Sequence, residues 1–268
     1  MVTVVGSDDM RLITPELLGR YFLWLTGTDG QTGRTARKHR RTLGAILRVA
    51  KRRKLIRIRL SEIPMPQADS LRPRAWSMEE FQALLQCAYR IDGTIGPWRA
   101  GDWLVGLMVT TFCTDWRISA VMRLRTADCN FERATARSID KRRRERVAPL
   151  TEQCVYHLKL IWDPSREEVF GDWPKDRHSR QWSELNDLLG GVIKAAGVPD
   201  IGRWHAIRKS VITEVAKRHG VEAASRFAGH SSTRVTWNHY VDESLLEDRS
   251  LTDTLPTFRI DPGQSIAS

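Results

Sequence analysis

Residues 205–240 read HAIRKSVITEVAKRHGVEAASRFAGHSSTRVTWNHY. Ile207, Val211 and Val215 recur at helical spacing and make an apolar stripe that faces a core. His205 and Arg208, three residues apart, share a different face of the same helix, so an imidazole and a guanidinium are presented together. Gly220 is placed to stop that helix. Beyond it, Ala228-Gly229-His230-Ser231-Ser232 is a run of small residues around one imidazole, and Tyr240 follows. A further polar group, Arg117, opens a helix upstream whose apolar positions are Ile118, Val121, Met122 and Leu124. Any one of these groups alone is more often a cap or a surface residue than a piece of chemistry; their joint occurrence is what carries meaning.

The composition narrows what such a cluster acts on. A chain of 268 residues has room for one large domain or two smaller ones. With 41% hydrophobic and 28% charged residues it is neither wholly disordered, nor collagen-like, nor a disulfide framework. Lys and Arg number 43 against 32 Asp and Glu, a net charge of +11, and a pI near 9.9 asks for a polyanionic partner. The excess is local, because twelve Lys or Arg and no acid lie between Arg34 and Arg59. Leu43, Ile46, Leu47 and Ala50 recur at helical spacing inside that segment, which reads as a helix with one apolar stripe and basic flanks. Arg34, Arg37, Lys38, Arg41, Arg48, Lys51, Arg52, Arg53 and Lys54 are the side chains expected to reach a phosphate backbone. A solvated charged face usually mixes signs and this one does not, so double-stranded DNA is favoured over that reading and over an anionic membrane surface.

The longest apolar stretch, about 103–113, falls short of the roughly 18 residues needed to cross a bilayer. The first residues lack the basic and apolar regions of a signal peptide, so the expectation is a cytoplasmic, nucleoid-associated protein without a membrane partner. Cys87, Cys113, Cys129 and Cys154 are too far apart for a zinc or redox motif and are expected to be reduced, mostly buried thiols. His205, His219, His230 and His239 cluster, but none stands at His-Glu-x-x-His spacing and no carboxylate pair accompanies them, so neither a metal nor a cofactor is expected.

The segments order themselves into a mainly α protein with a small β-hairpin, an α+β class. A helix over 15–24, a Gly-rich turn over 27–33 and the basic helix make a small helical domain, 1–62. Pro64, Pro66 and Pro73 mark an extended linker, 63–74. Ser77 and Glu80 form a capping box that opens a helix through Phe81, Leu84, Leu85 and Ala88, and with it a second domain, 75–246. Within it, a helix over 101–112 and the Arg117 helix precede two β-compatible pieces, 136–139 and 146–150, around the tip Lys141-Arg142-Arg143-Arg144-Glu145. Helices follow over 151–162, 183–196 and 205–219. Trp24, Trp103 and Trp162 lie among apolar residues and read as core rather than base-stacking platforms. A polar tail, 247–268, closes the chain.

From about Arg11 to Asp242 the chain resembles the tyrosine recombinase, or phage integrase, family. Thr114-Asp115-Trp116-Arg117-Ile118-Ser119, running on to Leu124-Arg125 and Asp128, is similar to the first-arginine box; 141–150 to the hairpin whose lysine reaches the active site; His205-Ala206-Ile207-Arg208-Lys209 to the His-x-x-Arg box; and 228–232 to the Gly-His-Ser box that precedes the tyrosine. The resemblance implies a helical core-binding domain that embraces DNA opposite a catalytic domain. It implies catalytic Arg117, Lys141, His205, Arg208 and His230, with Tyr240 as nucleophile and a 3′-phosphotyrosyl intermediate. It also implies a tetramer on two DNA sites, here expected to be a monomer in free solution. Two positions depart from the pattern: Ala120 replaces the acid three residues after the first arginine, and Asp115 replaces a glycine.

The chemistry fits those roles. A phosphodiester gains negative charge as it is attacked, which calls for fixed guanidinium forks at Arg117 and Arg208. A phenol becomes a covalent nucleophile when a neighbour takes its proton, for which His205 is the candidate, while Lys141 is the candidate acid for the leaving sugar oxygen. His230 is expected to hydrogen-bond the phosphate, and Arg142, Arg143 and Arg144 to lie near DNA. Because the phosphotyrosyl bond conserves the energy of the broken linkage, religation needs neither ATP nor metal. A DNA-binding regulator that lost catalysis, and a type IB topoisomerase, remain the alternatives at this point.

Overall fold

The patterning of the chain into helix-forming segments separated by Gly and Pro is realised in a computed structural model that describes residues 9–56, 58–67, 72–139, 145–171 and 180–246. The chain divides into two compact units, Met1–Leu71 and Arg72–Ser268. Lys141, Arg142, Arg143 and Arg144, on which four of the site expectations rest, lie outside the described residues, as does the tail 247–268.

The first unit is built on α1 (Pro15–Thr26) and α2 (Gly33–Arg52). Thr14 and Thr32 cap their N-termini, each accepting a backbone N–H three residues on. Ile13, Leu18, Tyr21, Phe22 and Leu25 pack against Ala36, Leu47, Ala50, Ile56, Ile58 and Ile63. The buried stripe of α2 therefore runs Ala36, Leu47 and Ala50 with Leu43 half-buried, and Ile46, expected on it, is half exposed instead because it sits one position off the 3.6-residue repeat. Trp24 packs against this core half-buried.

The second unit forms around α4 (Ala100–Thr114), which is apolar on nearly every side and is buried on nearly every side for that reason. α3 (Met78–Tyr89), opened by the Ser77–Glu80 capping box, packs on it, as do α6 (Glu152–Leu160) and α8 (Trp204–Ala228). α3 also packs against α7 (Arg180–Ala196), whose Leu185, Leu189, Val192 and Ile193 enter the same core. Trp76, Trp103, Leu104, Leu107, Met108 and Phe170 are fully buried there, and Trp162 is half-buried against Phe131. Gly101 is required by close approach, since a Cβ would meet the Tyr89 carbonyl oxygen at 2.3 Å.

Several elements differ from the expectation. The apolar run after Arg117 makes only one helical turn, α5 (Ile118–Val121), before Arg125 bridges to Glu168 and draws the chain into extended structure. A two-residue hairpin, β1 (Thr94–Ile95) and β2 (Trp98–Arg99), precedes α4. The expected hairpin is a three-stranded antiparallel sheet in the order β3 (Cys129–Asn130), β4 (Thr135–Ile139), β5 (Glu145–Pro149), with Ser138 opposite Arg146. At Gly220 the φ of 84° and ψ of 165° break the helical path as expected, but the helix resumes and continues to Ala228. The four cysteines are free, yet Cys154 alone is buried and the other three are half-buried.

The end of the described chain folds back on this unit. After α9 (Thr233–His239), Val241 is fully buried and the Asp242 carboxylate accepts the Ala75 N–H at 2.9 Å and the Ser244 hydroxyl at 2.7 Å. Val241, Asp242 and Leu246 thus pack on the second unit itself. Loss of a buried charge-assisted acceptor costs about 1–3 kcal/mol. Asp242→Ala is therefore expected to lower the unfolding free energy in urea by about that amount, whereas Glu243→Ala, which removes an exposed ion pair with Arg72, changes it by less than about 1 kcal/mol.

Candidate active site

The site lies where the C-terminal end of α4, the first turns of α8 and the turn into α9 meet. Arg208 projects from the buried side of α8 and is itself buried. Its guanidinium forms an ion pair with the Asp115 carboxylate at 3.1 Å and donates to the Asp115 carbonyl oxygen. The other fork donates to the Ala228 carbonyl at 3.2 Å and to His230 Nε2 at 3.3 Å. Nε of Arg208 is buried without a hydrogen-bond partner among the described residues.

Gly229 ends α8 in the left-handed conformation, φ 61°, and that turn lets the His230 backbone N–H return to Ser225 while the ring faces Arg208. Because Arg208 donates to Nε2, the proton of the neutral ring sits on Nδ1, which donates to Thr236 Oγ1 at 2.9 Å. Burial, then the charges of Arg208, Arg117, Arg146 and His239, hold the His230 imidazole down at about 4, so it is neutral at physiological pH.

Tyr240 caps the C-terminal end of α9 and is buried against Val211, Ile212, Ala216 and Ala224. Its ring lies 4.4 Å from that of His230 and 5.4 Å from that of His205, with the Arg208 guanidinium carbon 5.4 Å from its centre. Thr213 fixes the backbone on both sides of the next peptide, donating to the Tyr240 carbonyl and accepting the Asp242 N–H, both at 3.1 Å. His205 is exposed at the first turn of α8. Arg117 is exposed at the start of α5 and close enough for its charge to act on both Asp115 and His230. The structure therefore brings Arg117, His205, Arg208, His230 and Tyr240 to one place.

Two members of the cluster were not anticipated as site residues. Asp115 takes the left-handed conformation after α4, φ 54°, which Asp tolerates, and this turns its side chain inward. Burial raises its carboxyl to about 7 although Arg208, Arg146 and Arg117 all pull it down. Neither carboxylate oxygen accepts a hydrogen bond among the described residues, so the ion pair with Arg208 is held by charge. Arg146 sits half-buried on β5, donates to the Phe227 carbonyl at 3.1 Å and faces Gly229. The only sequence signals were an acid in an otherwise apolar helix end and an arginine alternating with Val147; neither distinguishes a site residue from a surface one. Among the described residues no group of His, Cys, Asp and Glu could hold a metal ion.

On the first unit, Arg34, Arg37, Lys38, Arg41, Arg48, Lys51, Arg52, Arg53 and Lys54 are all exposed. None makes an ion pair among the described residues, although Arg37 Nε donates to the Pro66 carbonyl at 2.8 Å. The basic helix thus presents uncancelled charge.

Guanidinium groups around a phenol and two imidazoles define a centre for phosphoryl transfer to a tyrosine. The sequence profile of the phage integrase family matches residues 102–246, and the chain belongs to that family, the tyrosine recombinases. It is by that membership a site-specific recombinase that cuts and rejoins DNA strands. Solved structures share the fold at low identity. A lambda integrase dimer bound to a core site is 15% identical with a TM-score of 0.70, covering 97% of this chain and 88% of that one. XerH site-specific recombinase bound to a palindromic substrate is 18% identical with a TM-score of 0.67, covering 89% and 69%. XerA recombinase is 16% identical with a TM-score of 0.54, covering 96% and 89%. No curated protein matches the chain in sequence. No helix among the described residues is long and apolar enough to cross a membrane.

The His230 environment sets a pH dependence of stability. Its folded value near 4 lies below the ordinary 6.5, so the unfolded chain takes up the proton first. This contribution is complete above about 6.5 and is lost as pH falls toward 4. Thermal melts across that range are expected to show a loss of stability that is smaller in His230→Gln.

Proposed function

We propose that the protein cleaves one DNA strand at a time through Tyr240 and rejoins it to a new partner. The observation that carries this reading is the Tyr240 ring packed against His230 and His205 beside the Arg208 guanidinium. Arg117 and Arg208 hold the non-bridging oxygens of the scissile phosphate, with Arg146 adding charge behind them. Tyr240 Oη attacks phosphorus and gives its proton to His205. The bond to the 5′ sugar oxygen breaks, a 3′-phosphotyrosyl bond forms, and Lys141 protonates the departing oxygen. Religation reverses these transfers, so no ATP, metal or cofactor enters. Once Arg208 turns from Nε2 to the substrate, neutral His230 takes its other tautomer, accepting from the Thr236 hydroxyl at Nδ1 and donating Nε2–H to the phosphate.

In this reading the helical domain, 1–62, grips duplex DNA through the basic face of α2, the linker, 63–74, joins it to the catalytic domain, 75–246, and Arg142 to Arg144 add a second basic contact. The chain is a monomer in free solution and a tetramer on two sites, and it works in the cytoplasm on the nucleoid. Asp115 acts as a positioning residue: it holds Arg208 before DNA arrives and cancels one of the three guanidinium charges whenever it is ionised.

Covalent capture on a randomised duplex pool tests the chemistry. The wild-type chain is expected to yield protein-linked DNA with a shared end, Tyr240→Phe none, and Arg208→Lys a rate lower by about 10²–10³. Intact salt-sensitive binding without any adduct from the wild type would instead favour a regulator. For Asp115, the affinity of the Tyr240→Phe protein for captured-site DNA is expected to fall severalfold as pH rises through about 7, where the carboxyl ionises. Asp115→Asn is expected to flatten that dependence.

A further inference from the structure

The backbone around Tyr240 is held from several sides. The Tyr240 N–H donates to the Thr236 carbonyl at 2.9 Å and the Val241 N–H to the same oxygen at 3.2 Å. Opposite them the buried Thr213 hydroxyl donates to the Tyr240 carbonyl and accepts the Asp242 N–H, both at 3.1 Å. Asp242 carries the chain of bonds outward: one carboxylate oxygen accepts the Ala75 N–H at 2.9 Å, and the other accepts the N–H and the hydroxyl of Ser244 at 3.1 and 2.7 Å. Ala75 lies 167 residues away, where the chain enters the second unit. The residue after it is fixed as well, the Trp76 N–H donating to Ser210 Oγ at 2.9 Å and its indole N–H to the Pro199 carbonyl at 2.8 Å. Ser210 and Thr213 are three apart on α8, so the entering chain and the Tyr240 segment are tied to neighbouring positions of one helix face. A carboxylate is costly to bury, and the bond that Asp242 makes to Ala75 is charge-assisted, roughly twice as strong as a neutral one.

Given cleavage through Tyr240 as put forward above, we propose that Asp242 is a positioning residue for that step, fixing Tyr240 relative to the chain that enters the second unit at Ala75. It acts through two bonds in series: the Ala75 N–H to its carboxylate, and its own N–H to the Thr213 hydroxyl that also holds the Tyr240 carbonyl. The phenol oxygen sits at the far end of a rigid side chain, so a small rotation of the 240–241 peptide moves it further than the backbone itself moves. A misplacement of about 1 Å at the reacting atom can cost about 10²-fold in rate. A displacement of the entering chain is therefore passed to the phenol. The Arg208 fork is held independently, by Asp115, Ala228 and His230, and keeps its place when the link through Asp242 is broken. Breaking the link thus acts on the rate of attack and not on the binding of the phosphate.

Single-turnover adduct formation by the full-length protein on the duplex recovered by covalent capture tests this, at saturating protein and well below each variant's melting temperature. Affinity for the same duplex is read separately in a Tyr240→Phe background. Asp242→Ala is expected to form adduct about 10–100-fold more slowly with affinity unchanged. Asp242→Asn, which keeps an oxygen for the Ala75 N–H, is expected to recover most of that loss. Thr213→Val, similar in shape but without the hydroxyl, is expected to slow the adduct likewise and gives the same reading if Asp242→Ala does not fold. Ala75→Pro removes the bond from its other end, so its effect and that of Asp242→Ala are expected to be non-additive. No adduct from the wild type overturns cleavage through Tyr240 and this role with it. With adduct from the wild type, each of four results overturns the positioning role alone: variants as fast as the wild type, a loss of rate matched by a loss of affinity, Asp242→Asn no faster than Asp242→Ala, or additive effects of Ala75→Pro and Asp242→Ala.

Discussion

The buried guanidinium of Arg208 is the group around which the second unit is organised. Removing such a cation from water is tolerable only if its neighbours compensate it, and they come from three separate places in the sequence: the carboxylate and carbonyl of Asp115, the Ala228 carbonyl with His230, and the ring of Tyr240. The end of α4, the end of α8 and the turn into α9 must therefore all arrive correctly for any one of them to be stable. In the proposed function the same fork that satisfies the fold is the one a phosphate takes over, which would exchange one set of compensating groups for another.

That arrangement places Tyr240 under constraint rather than on a free loop. Tyr240 is held by its ring in an apolar pocket and by Thr213 at its carbonyl, and the following residues are anchored by Asp242 to the strand-like segment at Ala75. Preorganisation of this kind removes the orientational entropy that a mobile tyrosine would have to lose at the moment of attack. The charges around it, three guanidinium groups against one carboxylate, also explain why His230 stays neutral: a second cation beside Arg208 is unfavourable in a half-buried site.

The two units use basic residues differently. On α2 the exposed Lys and Arg are spread along a helix without acids, giving a long-range attraction that tracks a phosphate backbone. In the second unit Arg208 and Arg146 are each fixed by carbonyls, Arg208 by a carboxylate as well, so what distinguishes them is position rather than number.

Much of this was legible in the sequence because it is written locally. The Ser77–Glu80 capping box, the all-apolar α4, the basic run of α2 and the break at Gly220 are decided within a few residues by capping, periodicity and backbone sterics. The residue types of the site, with Arg117, His205, Arg208, His230 and Tyr240 in order along the chain, are likewise read directly. What only the tertiary structure decided are pairings across large separations: Asp115 with Arg208, Arg146 against the turn at Gly229, Asp242 with Ala75 and Cys113 with the Thr151 N–H. The short α5 and the third strand of the sheet belong to the same group, because both depend on a bridge or a register with distant residues. An isolated acid, arginine or cysteine looks the same on a surface as in a site, and burial beside a particular partner, which shifts its charge and chemistry, is a property of the folded chain alone.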